Sequence, residues 1–177
     1  MANKINLTER NKDYSVFLPS ISSFYDRTLS KYRESGDNFF PPERIPDLFE
    51  DGLDGCDFLK PDAYFSYKWG LYSAGHAQLD LSKCLNHDNM VQGRDRQNTF
   101  ILGDSGGFQI IKGVIQCDWK NFKNDDSLRH TILNWLEHTA DYSMILDIPT
   151  MAASEPYKAR TGIQNFAQCL DLSLIHI

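Results

Sequence analysis

The sequence predicts an α/β fold built around a parallel sheet. Three observations point there. Short apolar runs alternate with segments of helical periodicity. Two of those runs, NTFILGD and YSMILDIPT, each reach an aspartate, Asp104 and Asp147, where the run gives out. The resulting order is strand, helix, strand, helix, and a βαβα order favours parallel pairing. The carboxyl ends of such strands are where α/β folds, and (β/α)8 barrels above all, place their active sites.

The elements follow in chain order. Residues 1–50 read as an irregular lead-in: YSVFLPSISSFY is broken by Pro19, and ESGDNFFPPERIPD is rich in turn formers. Residues 51–171 read as the first βα units. NTFILGD is predicted as a buried strand with Asp104 at its carboxyl end. In DDSLRHTILNWLEHTAD, Leu128, Ile132, Leu133, Leu136 and Ala140 recur at helical spacing, and Asp125, Asp126 or Ser127 is the candidate N-cap. YSMILDIPT is predicted as a second strand ending at Asp147. SEPYKARTGIQNFAQCLD is predicted as a further helix with Ser154 as N-cap and Pro156 in its first turn. The alternative for Asp104 and Asp147 is that each merely caps the segment after it.

Bulk properties narrow the function classes. The chain has 177 residues, enough for one core. There is no apolar run of about 18 residues, and the polar start MANKINLTERNKDY lacks the apolar core of a secretory signal. A soluble, cytoplasmic protein with no membrane partner is predicted. The net charge of -6 gives no chain-wide electrostatic footprint for nucleic acid, and leaves room only for a local patch. The four cysteines, Cys56, Cys84, Cys117 and Cys169, show no zinc-ligand spacing, and read as reduced core thiols.

The chemistry-bearing stretch is Gly103-Asp104-Ser105-Gly106-Gly107-Phe108. GDSGG is also the neighbourhood of a protease serine, and His76 in SAGHAQ faintly echoes a triad histidine. Too few residues separate His76 from Ser105 to hold the two β-barrels such a protease needs. Phe108 follows the second glycine where a proline is expected, and helical periodicity comes next. The protease reading fails on all three counts.

DSGGFQ followed downstream by Asp147 resembles the tRNA-guanine transglycosylase family. The resemblance is strong over ILGDSGGFQI, moderate over DYSMILDIPT, and covers roughly residues 60–171. That family exchanges guanine in a nucleic acid for a 7-deazaguanine and folds as a (β/α)8 barrel with an inserted zinc site. The resemblance implies that Asp147 recognises the base, since one carboxylate can accept from both N1–H and N2–H2 of a guanine edge. It implies that Asp104 is the general acid/base beside the glycosidic bond and also touches the base. Ser105 becomes a polar wall of the pocket. Gly106 and Gly107 allow close backbone approach, and Phe108 stacks on the purine or packs in the core. Gln109 holds the loop or touches the base. His76 is either catalytic or structural. No cysteine follows Asp147, which looks more like the archaeal branch or the phage and bacterial relatives that insert 7-deazaguanine into DNA. YKWGLYSAGHAQLDLSK and FLPSISSFYD also resemble the DNA-modifying branch.

Implied partners are tRNA or DNA, a base of the preQ0 type, and a second copy of the chain; the implied metal is zinc. The ribose-attacking aspartate and the cysteine-rich zinc motif of the family are not found here. The chain is therefore expected to be the N-terminal part of a truncated barrel, inactive alone, with open sheet edges. The final LSLIHI is what the adapter sequence CTGTCTCTTATACACATC encodes, so residues 172–177 are expected to be a non-native tail. Two alternatives stand beside this: a non-catalytic binding subunit of the same fold, and an unrelated (β/α) hydrolase using Asp104 and Asp147 as paired carboxylates.

Overall fold

A computed structural model describes residues 16–75, 79–81, 90–121 and 126–174. His76, Cys84 and Asp125 lie outside the described residues. The chain divides into two compact units: residues 1–72 with 82–102, and residues 73–81 with 103–177. The division falls within strands β1 (Trp69–Ser73) and β2 (Phe100–Asp104). With β3 (Tyr142–Ser143) these form a three-stranded sheet in the order β1-β2-β3. Pairing ascends in parallel. Phe100 N–H donates to Lys68 O at 2.7 Å in the first unit; in the second, Ala74 N–H donates to Asp104 O at 2.9 Å and Met144 N–H to Gly103 O at 2.8 Å. Mixed helix with a small parallel sheet is the α/β character the sequence predicts.

In the first unit the irregular lead-in is corrected. Residues 23–35 form helix α1 (Ser23–Ser35). Ser22 starts it: its backbone is extended and its Oγ accepts from Tyr25 N–H at 3.1 Å, satisfying one of the first-turn donors. Leu29 and Ser30 are the buried residues of the helix, in a core with Ile21, Leu59, Tyr72, Met90, Val91 and Ile101. Residues 19–21 lie parallel to β1 through Leu71 N–H to Pro19 O and Ile21 N–H to Leu71 O, both 2.9 Å. Arg33 of α1 ties down the short 3-10 helix Gly52–Cys56 and its sequel, donating to Asp54 and, at 2.6 Å, to Asp57.

The second unit carries most of the predicted elements, with two corrections. β2 ends at Asp104 as predicted. Helix α2 (Gly107–Lys112) follows at once, then α3 (Ser127–Thr139). Ile132, Trp135 and Leu136 of α3 are buried, whereas Leu133 faces outward. Asp126 holds the N-cap position, and its carboxylate takes Arg129 Nη1 at 3.1 Å. The predicted second strand is only two residues long. Met144 and Ile145 are exposed, so the apolar run has no second layer to bury it, and regular pairing stops. Asp147 therefore sits in a loop beyond β3 and not at its end. The predicted last helix is two helices, α4 (Tyr157–Thr161) and α5 (Phe166–Leu174). Gly162, at φ 70°, closes the first, and Asn165 Oδ1 accepts from Gln168 N–H at 3.1 Å to start the second. Leu172 packs into a cluster with Ile111, Ile148, Ala152, Ile163 and Cys169, and Ser173 Oγ accepts from Ile148 N–H at 2.7 Å. Residues 175–177 lie outside the described residues.

Candidate functional site

The site is built within the second unit from the turn between β2 and α2. β2 delivers Asp104 at its carboxyl end, half-buried. Its backbone carbonyl is used by the sheet, and its side chain has no hydrogen-bond partner among the described residues. The chain then has to reverse from strand to helix within two residues. Gly106 makes the turn in the left-handed region, at φ 79° and ψ 19°, where a side chain is strained.

The next two residues reach across to Asp147. Ser105 is fully buried and its Oγ donates to Asp147 Oδ1 at 3.2 Å. Gly107 lies so close to the same residue that an added Cβ would stand 1.9 Å from the Asp147 carbonyl oxygen and 3.3 Å from Pro149 Cδ. The turn and the loop after β3 are thus fitted together at two adjacent positions. Ile148 N–H to Ser173 Oγ anchors that loop from its far side. The Asp147 carboxylate remains exposed. With Oδ1 holding one donor, its remaining lone pairs are open to a ligand with two adjacent N–H groups.

The structure brings Asp104, Ser105, Gly106, Gly107 and Asp147 into one constellation. Ser105 is a buried support for Asp147 and not an open wall. Phe108 is 47% exposed and presents its ring at the surface, away from a core role. The Lys112 ammonium stands 5.2 Å from the centre of that ring. Gln109 packs where Gly75 has no side chain, and its Oε1 is buried without a hydrogen-bond partner among the described residues. Such an acceptor costs free energy until a donor reaches it. Sequence reasoning missed Lys112, which stands beside Phe108, and Tyr157 and Arg160, which are linked to it through the Tyr157 ring. The available signal was a basic residue one helical turn after an exposed aromatic.

Among the described residues no group of three or more His, Cys, Asp or Glu is placed to hold an ion, and Cys56 and Cys169 are free thiols. The zinc implied by the resemblance has no donor set among the described residues. A groove of about 210 Å³ belongs to the first unit, lined by Asp51, Asp54, Gly55, Lys60, Asp62 and Ala63. One of its carboxylates is engaged structurally: Asp54 binds both Arg33 and, at 2.6 Å, Lys60. No helix among the described residues is long and apolar enough to cross a membrane. No protein-family model, curated protein or solved structure matches the chain.

Proposed function

We propose that this chain carries the base-recognition part of a transglycosylase that replaces guanine in tRNA or DNA with a 7-deazaguanine of the preQ0 type. The observation that carries the reading is the seating of Asp147 on the GDSGGF turn, through Ser105 Oγ and the bare face of Gly107. That seating supports a fixed, exposed carboxylate beside Asp104. Asp147 accepts from N1–H and N2–H2 of the purine as a bidentate, charge-assisted pair. Asp104, at the strand end and without a side-chain partner among the described residues, gives a proton to the leaving purine as the glycosidic bond breaks and takes one from the incoming base. Phe108 offers a ring face to the purine. A truncated (β/α)8 barrel fits the strand–turn–helix order around Asp104. The carboxylate that attacks the ribose is assigned to no residue here, so base exchange by this chain alone is not expected.

Calorimetric titration of guanine, preQ0 and adenine into the 177-residue chain tests the reading. The expected result is binding of guanine and preQ0, none of adenine, and loss of both in Asp147→Ala. Equal affinity in Asp147→Ala, or no preference for guanine over adenine, refutes the assignment.

A further inference from the structure

The chain is acidic overall, with 24 Asp and Glu against 18 Lys and Arg, yet in the second unit two cations, Lys112 and Arg160, meet at one side chain. That side chain is Tyr157, the first residue of α4. The Lys112 ammonium donates to Tyr157 Oη and stands 5.0 Å from the centre of the same ring. The Arg160 guanidinium carbon lies 5.9 Å from that ring centre. Its Nη1 rests over Gly113, where an added Cβ would come within 2.9 Å. Lys112 and Arg160 are both exposed, and neither has a carboxylate partner among the described residues.

Two cations held on one ring repel each other, so the arrangement is at its best with an anion between them. Its free donors suit a phosphate. An ammonium bonded to a phenol oxygen keeps two N–H groups, and a guanidinium beside an aromatic ring keeps its in-plane fork for bidentate contact. Lys112 also reaches Phe108, so an anion held here lies next to a base stacked on that ring. A phosphate adjacent to a stacked base is the outline of a nucleotide within a strand, and that favours a polynucleotide over a lone anion or a lipid headgroup. We infer that Lys112, Tyr157 and Arg160 form a clamp for the phosphodiester that flanks the nucleotide whose base Phe108 and Asp147 engage. The placement beside the base rests on the function proposed above; the clamp itself does not.

Fluorescence anisotropy with labelled single-stranded DNA and RNA oligonucleotides of mixed sequence, over a salt series, tests the clamp on the 177-residue chain. The variants are Lys112→Gln/Arg160→Gln and, separately, Tyr157→Leu, with thermal melts showing that each folds. The expected result is affinity about tenfold weaker in the double variant for every sequence. Its log-affinity against log-salt slope should be shallower by about 0.7, the contribution of one single-strand phosphate contact. Tyr157→Leu should give part of the same loss, while guanine binding by the double variant stays at the wild-type level. Unchanged affinity and slope in the double variant overturn the proposal. So does no oligonucleotide binding by the wild type, equal competition by inorganic phosphate, or preference for phosphatidylserine vesicles. Oligonucleotide binding that depends on the clamp, in a chain that ignores free guanine, sinks the base-reading assignment and supports the clamp.

Discussion

Gly107→Ala is the sharpest probe of the site, because it tests the fit between the turn and the Asp147 loop without touching a polar group. The new methyl would stand 1.9 Å from the Asp147 carbonyl oxygen. Close carbon–oxygen contacts settle near roughly 3.3 Å, so the two must part by about 1.4 Å. The obstacle is backbone, which cannot swing aside as a flexible side-chain tip can, and Pro149 Cδ at 3.3 Å narrows the escape. Overpacking of this kind costs about 1–3 kcal/mol of stability, and each kcal/mol lowers the unfolding midpoint by about 2–4 °C in a chain of this size. The functional loss should be larger than the loss of stability implies. Displacing Asp147 by that distance breaks its bond from Ser105 and misdirects the carboxylate, and a shift of about 1 Å in a positioned group can cost on the order of a hundredfold. Thermal melts followed by guanine titration at a temperature where the variant is folded separate the two effects. A folded Gly107→Ala chain that binds guanine as the wild type does would refute the claim that this close approach positions Asp147.

Ser105→Ala should weaken guanine binding about tenfold, because a hydrogen bond to a charged group is worth about 1.5–3 kcal/mol; calorimetry reads it, and Ser105→Thr, which keeps the hydroxyl, should recover part if the buried site admits the methyl. Arg33→Met should destabilise the chain by about 3–5 kcal/mol, since it leaves Asp57, whose side chain is 3% exposed, without its cation; chemical denaturation measures the drop. Burial raises the Asp54 carboxyl, but the hydrogen bonds and charges of Lys60 and Arg33 outweigh it and hold the group below the usual carboxylate range. A lowered folded value means stabilisation that is present above the unfolded value, near about 4, and lost as pH falls through the folded one. Asp54→Asn should therefore flatten the acid limb of melting temperature against pH.

Sequence patterning exposed the elements that bury one clear apolar surface. FILGD is a strand with one face, Ile101 and Gly103, buried and the other half-buried, and α3 was visible because Ile132 and Leu136 mark one stripe. It failed where burial is not carried by aliphatic residues. Helix α1 buries Leu29 and Ser30, a stripe with little hydrophobic contrast, so only the Ser22 cap announces it. WGLYS has a glycine inside a strand, which weakens the strand signal. The run at 142–149 failed in the opposite sense. Its apolar residues are real, but Met144 and Ile145 are exposed, and hydrophobicity without a covering layer does not sustain pairing.

The site was legible as residue types and not as geometry, and the gap is instructive. A motif with two adjacent glycines states that something must come close; it does not state what. The structure supplies the answer separately for each glycine. Gly106 is needed for the turn, whereas Gly107 is needed because the Asp147 backbone occupies the place of its side chain. Ser105 shows the same division of labour. Its hydroxyl suggested a nucleophile or a pocket wall, yet it is fully buried and spent on holding Asp147. A serine so placed cannot attack an exposed substrate while its proton is directed at a carboxylate, and a carboxylate so held gains a fixed orientation at the surface. Asp104 and Asp147 thereby differ in kind: among the described residues one is left without a side-chain partner at a strand end, the other is aimed. Proton transfer asks for the first, and recognition of a donor-rich edge asks for the second. That asymmetry favours base recognition over a symmetric carboxylate pair.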